Sequence, residues 1–221
     1  MLKPRRALPA LIAMAAVVIP SGAAASLQAD YRFDNGLASA VSGAPRLHAL
    51  NGATDLRQDQ VDGHNDGVLE YERGTCLRLR EARKVVGTPT TYTIAMTVRL
   101  NNTEGYNKLV DFDNLNEDYG LYVDDGKLDL WNLDSESGNI KARRYYQLAM
   151  TRAKSGKARG YIDGRRRVAD TDEEDVHVLG ADEVLHFLCD DGGSEESSGR
   201  IARLRIYDNA LTDAKILDLG S

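Results

Sequence analysis

The sequence predicts an all-β fold: two antiparallel sheets packed face to face as a β-sandwich, with a short helix at the C-terminus. Three observations carry this. From Leu27 onward, apolar residues recur at every second position in short segments, which is the period of a strand with one buried face. Clusters of Gly, Asn, Asp and Ser interrupt these segments where hairpin turns are needed. Helical spacing occurs clearly only near the end, so no strand–helix–strand alternation supports a parallel sheet. About ten strands are expected, and a single sheet of that width would leave a face bare.

Each element follows from its pattern. In Tyr92–Leu100, Tyr92, Ile94, Met96, Val98 and Leu100 share one face, while Thr93, Thr97 and Arg99 share the other. Tyr119–Trp131 carries Asp125-Gly126 between two alternating runs, the strongest short-range hairpin signal. Lys141–Thr151 alternates again, and turns follow at Lys154-Ser-Gly156 and Asp163-Gly164. The acidic run Asp170–Asp175 reads as a solvated loop. Val184–Cys189 and Arg200–Tyr207 complete the strands. Thr212–Leu219 reads as the helix, with Thr212 as N-cap, Asp213 near the positive end and Gly220 as the stop. This register puts Ile94, Met96, Val98, Leu148, Met150, Leu204 and Ile206 between the sheets. Thr93, Thr97, Arg203 and Arg205 then face outward, because one residue of slip reverses every side chain.

The chain has 221 residues, 42% of them hydrophobic, with ten tyrosines, too many for a chain that cannot collapse. Its net charge is -6 and its longest basic run is Arg165-Arg166-Arg167, which argues against nucleic acid or an anionic bilayer as partner. Residues 1–25 have the shape of a secretory signal: Lys3, Arg5 and Arg6, then apolar Ala7 to Pro20, then Ala23-x-Ala25. The apolar run is too short to span a bilayer. The expected product is residues 26–221, a single secreted, extracellular domain with no membrane insertion. Cys76 and Cys189 are then either a disulfide, which export permits, or two buried free thiols.

Longer stretches resemble a known family. Tyr145-Tyr-Gln-Leu-Ala-Met-Thr-Arg, continuing to Tyr161-Ile-Asp-Gly164, is similar to the "W-h-h-v-A-v-T-r-d…Y-v-D-G" stretch of laminin-G-like, concanavalin-A-like jelly-roll domains. Gly199-Arg-Ile-Ala-Arg-Leu-Arg-Ile-Tyr207-Asp-Asn-Ala-Leu-Thr212 resembles the closing segment, and Asp30-Tyr-Arg-Phe33-Asp-Asn-Gly36 the opening strand. Tyrosine stands where the family has tryptophan before the first stretch, and Ala202-Arg203 where it has an acidic pair. The apolar positions Ile201, Leu204, Ile206 and Leu211 are kept. The family holds receptors, carbohydrate-binding modules and some glycosidases, so fold alone does not decide function.

The candidate chemistry divides by residue type. Glycoside hydrolysis needs two carboxyl groups about 5 Å apart. Jelly-roll glucanases take them from one strand, and the nearest match here, Glu173-Glu-Asp175-Val-His-Val178, lacks the last acid. Gly-x-Ser-x-Gly and His-Glu-x-x-His are absent, so no catalytic residue is expected. The resemblance implies calcium. Asp111, Asp113, Asp190 and Asp191 are the candidate oxygen ligands, with the alternative that they are ordinary turn residues. For a ligand, alternation sends Asp129 and Trp131 to the face opposite Leu128 and Leu130. There the indole either stacks on a sugar ring or packs under a loop. Arg203, Arg205 and Tyr207 share a polar face that, in a curved sheet, forms a concave binding surface. The expected function is a non-catalytic extracellular binding module for carbohydrate or for a surface or secreted protein. The alternative is a secreted glycosidase or polysaccharide lyase whose acids come from different strands.

Overall fold

The computed structural model describes residues 25–131, 133 and 136–219. The expected signal segment, apart from Ala25, and the expected stop at Gly220 lie outside these residues. In chain order the elements are β1 (Leu27–Tyr31), β2 (Leu47–Leu50), β3 (Thr54–Val61), β4 (His64–Tyr71), β5 (Cys76–Leu79), α1 (Arg83–Val86), β6 (Tyr92–Leu100), β7 (Tyr106–Asp111) and β8 (Gly120–Asp124). They continue with β9 (Lys127–Trp131), β10 (Glu136–Ser137), β11 (Tyr146–Arg152), β12 (Lys157–Ile162), β13 (Arg165–Thr171), β14 (Leu185–Phe187), β15 (Gly199–Tyr207) and α2 (Asp213–Leu219).

The strands form two antiparallel sheets. The first runs β13-β12-β11-β6-β15-β4-β3, with β1 also pairing with β15; the second runs β10-β9-β8-β7-β14-β5-β2. Between them lies one core, in which Ile94, Met96, Val98, Leu148, Met150, Leu204 and Ile206 are all buried. The register explains this directly: Leu148 pairs with Met96 and Met96 with Leu204, so one cross-strand row points inward together. The two-residue turns sit where expected. Asp125 and Gly126 both have positive φ (44° and 78°), the type I′ geometry that matches strand twist.

Several expectations are corrected. Strand pairing is richer than expected because β3 and β4 form a hairpin through Asp62-Gly63, although β3 is almost wholly exposed and polar. Thr93 and Arg205 point away from the core but are buried rather than solvated. The cause is α2, which lies on that outer face: Ile216 packs with Ala95, Ala149, Tyr161, Tyr207 and Leu211. Thr93 Oγ1 donates to the Asn209 carbonyl at 2.8 Å and accepts from the Leu211 amide at 2.8 Å. Thr212 caps α2 as expected, its Oγ1 accepting from the Lys215 amide at 3.4 Å.

The acidic run is not a solvated loop either. Its first two residues belong to β13. Asp172 is buried and accepts from Arg152 Nε at 2.7 Å; Arg152 is itself buried at the inner end of β11 and also contacts Asp175. Burial would raise the Asp172 carboxyl, but hydrogen bonds from His177 and Arg152 outweigh it and hold it well below the usual range.

Cys76 and Cys189 form a disulfide with Cα atoms 4.9 Å apart, within the normal span of such a bridge. Cys76 opens β5 and Cys189 follows β14, its neighbour in the sheet. The bridge ties the 188–198 segment to the second sheet.

Candidate functional site

The outer face of the second sheet assembles the most distinctive cluster. Leu128 and Leu130 are fully buried, so alternation along β9 turns Trp131 outward, where it is 40% exposed. Two strands away, Tyr106 at the start of β7 is 41% exposed. The Tyr106 and Trp131 rings meet edge to face at 5.7 Å, and Tyr106 meets the buried Tyr122 at 6.1 Å. Such edge-to-face contacts hold each ring's plane while leaving a face free. Asp118 and Glu195 join the three rings in a shallow cleft of 110 Å³. Tyr122 OH donates to the Asp118 carbonyl at 2.9 Å. Burial first, and then the Asp190 charge, pushes the Glu195 carboxyl up. Carboxylate oxygens of Asp118, Asp190 and Glu195 all lie within 4.8 Å of one another.

Asp129 does not join this cleft. It faces the same side as Trp131 but is 4% exposed, between its cross-strand neighbours Tyr122 and Glu136. Burial, reinforced by Glu136 and Asp124, raises its carboxyl to about 6.

The four acids expected to hold calcium do not converge. Beneath the cleft, the wholly buried Lys108 places its Nζ 3.2 Å from Asp111 Oδ2 and 3.8 Å from Asp190 Oδ1, and donates to the Glu117 carbonyl at 3.0 Å. Burial acts to raise the Asp111 carboxyl, but the nearby His186 ring, the hydrogen bond from the Leu115 amide and the Lys108 ammonium hold it low. Asp113 is raised by burial and by the charges of Asp111 and Asp182. Asp191 is exposed and accepts from the Gly192 amide at 2.7 Å. An ammonium thus already occupies the space between Asp111 and Asp190, so Asp111, Asp113, Asp190 and Asp191 do not fit a divalent ion.

The other expected ligand residues lie on the far side of the sandwich. Arg203 and Arg205 line a groove of 520 Å³ on the outer face of the first sheet, together with Thr97 and Gln147. Tyr207, on the same strand, is buried under α2 and does not reach it. The structure therefore divides the expected ligand set between two opposite surfaces.

A sequence profile of the concanavalin A-like lectin/glucanases superfamily matches residues 77–217. The chain belongs to this superfamily. No curated protein matches it by sequence. Among solved structures, it is similar to domain 4 of AbnA, a GH43 extracellular arabinanase from Geobacillus stearothermophilus, in complex with arabinotriose. That match has TM-score 0.66 and 16% identity, covering 89% of this chain and 99% of the other. It is also similar to the binding domain of Paraclostridial Mosquitocidal Protein 1, with TM-score 0.65 and 12% identity over 88% of this chain and 51% of that one. A third likeness is to the binding domain of botulinum neurotoxin DC in complex with rat synaptotagmin II, with TM-score 0.60 and 14% identity over 88% and 51%. The chain spans about half the length of the two toxin domains. At these identities the likeness establishes the shared fold.

Sequence reasoning missed Tyr106, Lys108, Asp118 and Glu195. A register shift between Lys108 and Val110 leaves Leu109 and Val110 both buried, which breaks the alternation that would have marked Tyr106 and Lys108 as one outward face. Asp118 and Glu195 come from irregular segments far apart in sequence, and no local pattern joins them.

Proposed function

We propose that this chain is a non-catalytic extracellular module that binds carbohydrate at the Trp131 cleft. The observation that carries the reading is the pair of exposed aromatic rings, Trp131 and Tyr106, set edge to face beside the carboxyl groups of Asp118 and Glu195. A pyranose or furanose ring presents C–H groups to an aromatic plane and hydroxyls at its edge. Indole stacking and carboxylate acceptors meet both needs. The arabinotriose complex of the structurally similar arabinanase domain supports a sugar over a protein partner. So does size, because a cleft of 110 Å³ is an anchor for part of one ring rather than a surface for a stable protein complex. Export belongs to the same reading, since the Cys76–Cys189 disulfide persists in an oxidising compartment. N-terminal sequencing of secreted material should begin at Ser26.

One observation favours glycoside hydrolysis as a second reading: Asp118 and Glu195 oxygens approach within 4.8 Å, near the separation used by retaining enzymes, and Glu195 is held toward its protonated form. The cleft's small volume supports binding over hydrolysis, because pockets that enclose a reacting substrate run from roughly 300 to 1,000 Å³. Calcium, implied by the family resemblance, enters this reading only at Asp118, Asp190 and Glu195. A glycan array followed by calorimetry tests the proposal. Trp131→Ala should weaken the best neutral oligosaccharide by about tenfold or more, consistent with ring-stacking energies of about 1–3 kcal/mol. Unchanged affinity in that variant would sink the cleft. Release of reducing ends by the wild type, lost in Glu195→Gln, would favour the enzyme.

A further inference from the structure

The groove on the first sheet has chemistry that the Trp131 cleft lacks. Its floor is the outer face of β11, β6 and β15, where Gln147 pairs with Thr97 and Thr97 with Arg203 in one cross-strand row, and Arg205 lies one pair further along. One wall is the β3–β4 turn with Asp62, His64 and Asp66. Another is the loop carrying Arg32 and Asp34, which presses so closely on Gly67 that a Cβ there would lie 2.7 Å from the Asp34 Cα. The end of α2 closes the third side at Leu219. At 520 Å³ the groove has the size of a small-molecule site.

Two groups on its floor are buried donors with nothing to donate to. Gln147 is 6% exposed, and its Oε1 accepts from the Gly164 amide at 3.1 Å, yet its Nε2 has no partner. Arg205 is 8% exposed; its Nη2 donates to the Leu219 carbonyl at 3.0 Å, but its Nε has no partner. Leaving a buried donor unmade costs about 1–3 kcal/mol, more for a charged group, so such groups call for an explanation. Charge points the same way. Arg203 and Arg32 both bind the buried Asp30, at 2.7 Å each, and Arg200 and Arg99 both reach Asp59. Arg205 has no carboxylate within 4.0 Å among the described residues.

We infer that this groove is a second binding site, separate from the Trp131 cleft, for the carboxylate of an acidic sugar. The carboxylate would accept from Arg205 Nε and Gln147 Nε2, with the exposed edge of Arg203 beside it. The exposed acids Asp34, Asp62 and Asp66 would accept from the hydroxyls of the same or the next ring. A floor of unpaired donors under walls of acceptors suits a ligand that carries one acid among many hydroxyls. It suits neither a bare anion nor a polyphosphate, which those wall acids repel.

Calorimetry with trimers of galacturonate, mannuronate, guluronate and glucuronate, each against its methyl ester, tests this. At least one uronate trimer should bind, and its methyl ester should bind about tenfold or more weakly, the size expected of a charge-assisted contact. Gln147→Glu keeps the acceptor for the Gly164 amide but removes the free donor, and it should abolish uronate binding. Arg205→Gln should weaken it about as much as esterification does, with near-ultraviolet circular dichroism showing that both variants remain folded. Arg32→Ala, at an exposed position, tests the wall if Arg205→Gln does not fold, and should weaken binding by a smaller factor. Trp131→Ala should leave uronate affinity unchanged, which separates this site from the cleft. The proposal is overturned if no uronate binds, if an ester binds as well as its acid, or if folded Gln147→Glu binds like the wild type.

Discussion

The two outer faces of the sandwich use burial of charge in opposite ways. On the seven-stranded sheet, Lys108 is sealed under the 112–119 and 188–198 segments and its ammonium is shared by Asp111 and Asp190, so the charge is spent inside. Above it, the cleft is lined by aromatic rings and by Asp118 and Glu195. On the eight-stranded sheet, α2 covers one end of the face and leaves the rest as a groove whose buried guanidinium at Arg205 keeps an unused donor. The difference teaches that a buried ion with all its partners is architecture, whereas a buried ion missing one is a candidate for recognition.

Substitutions can break or sharpen that contrast. The largest effect should come from the shared core: Met96→Asp puts a charge between the sheets and should abolish folding. Thr97→Asp, one residue along and facing the groove, should shift the melting temperature only slightly. Equal destabilisation of the two, read by thermal denaturation, would overturn the register. Next, Lys108→Met should cost about 3–5 kcal/mol, because it strands Asp111 and Asp190 without their cation. Millimolar calcium should recover part of that loss in the variant, while shifting the wild-type melting temperature little. A large calcium shift in the wild type would instead point to binding at Asp118, Asp190 and Glu195. The smallest effect concerns Asp129, raised to about 6 by burial and by Glu136 and Asp124. Since its unfolded value is about 3.9, the folded state binds the proton more tightly, and stability falls as pH rises from about 4 to about 6. Asp129→Asn should therefore gain up to about 3 kcal/mol at pH 7 and nothing near pH 3. Denaturant midpoints across that range would show it.

The sequence made the strands with buried alternation readable, together with the turns that require positive φ and the Thr212 cap. Each is a local rule expressed within a few residues. The β3 strand was not readable, because its pairing with β4 is made through the backbone while its side chains stay in water. Arg152 sits in phase with Tyr146, Leu148 and Met150, so the pattern placed its Cβ on the inner face, but nothing nearby announced that Asp172 would meet it there. For the sites, Trp131 could be aimed outward from its own strand alone. Its partnership with Tyr106 depends on the register of three strands and on the irregularity at Lys108, which is information held between strands.

The disulfide reaches further than the 4.9 Å it spans. Cys189 anchors the segment that brings Asp190 and Glu195 to the cleft, whereas Trp131 and Tyr106 are fixed by the strand pairing of β9 and β7. Reduction would loosen the acidic lip and leave the aromatic floor standing, so affinity for a sugar should drop without loss of the fold. Titrating binding against a thiol–disulfide buffer would reveal this. On the proposed reading, such a protein would acquire its full grip only once the bridge has formed, and its strength of attachment would report the redox state of its surroundings.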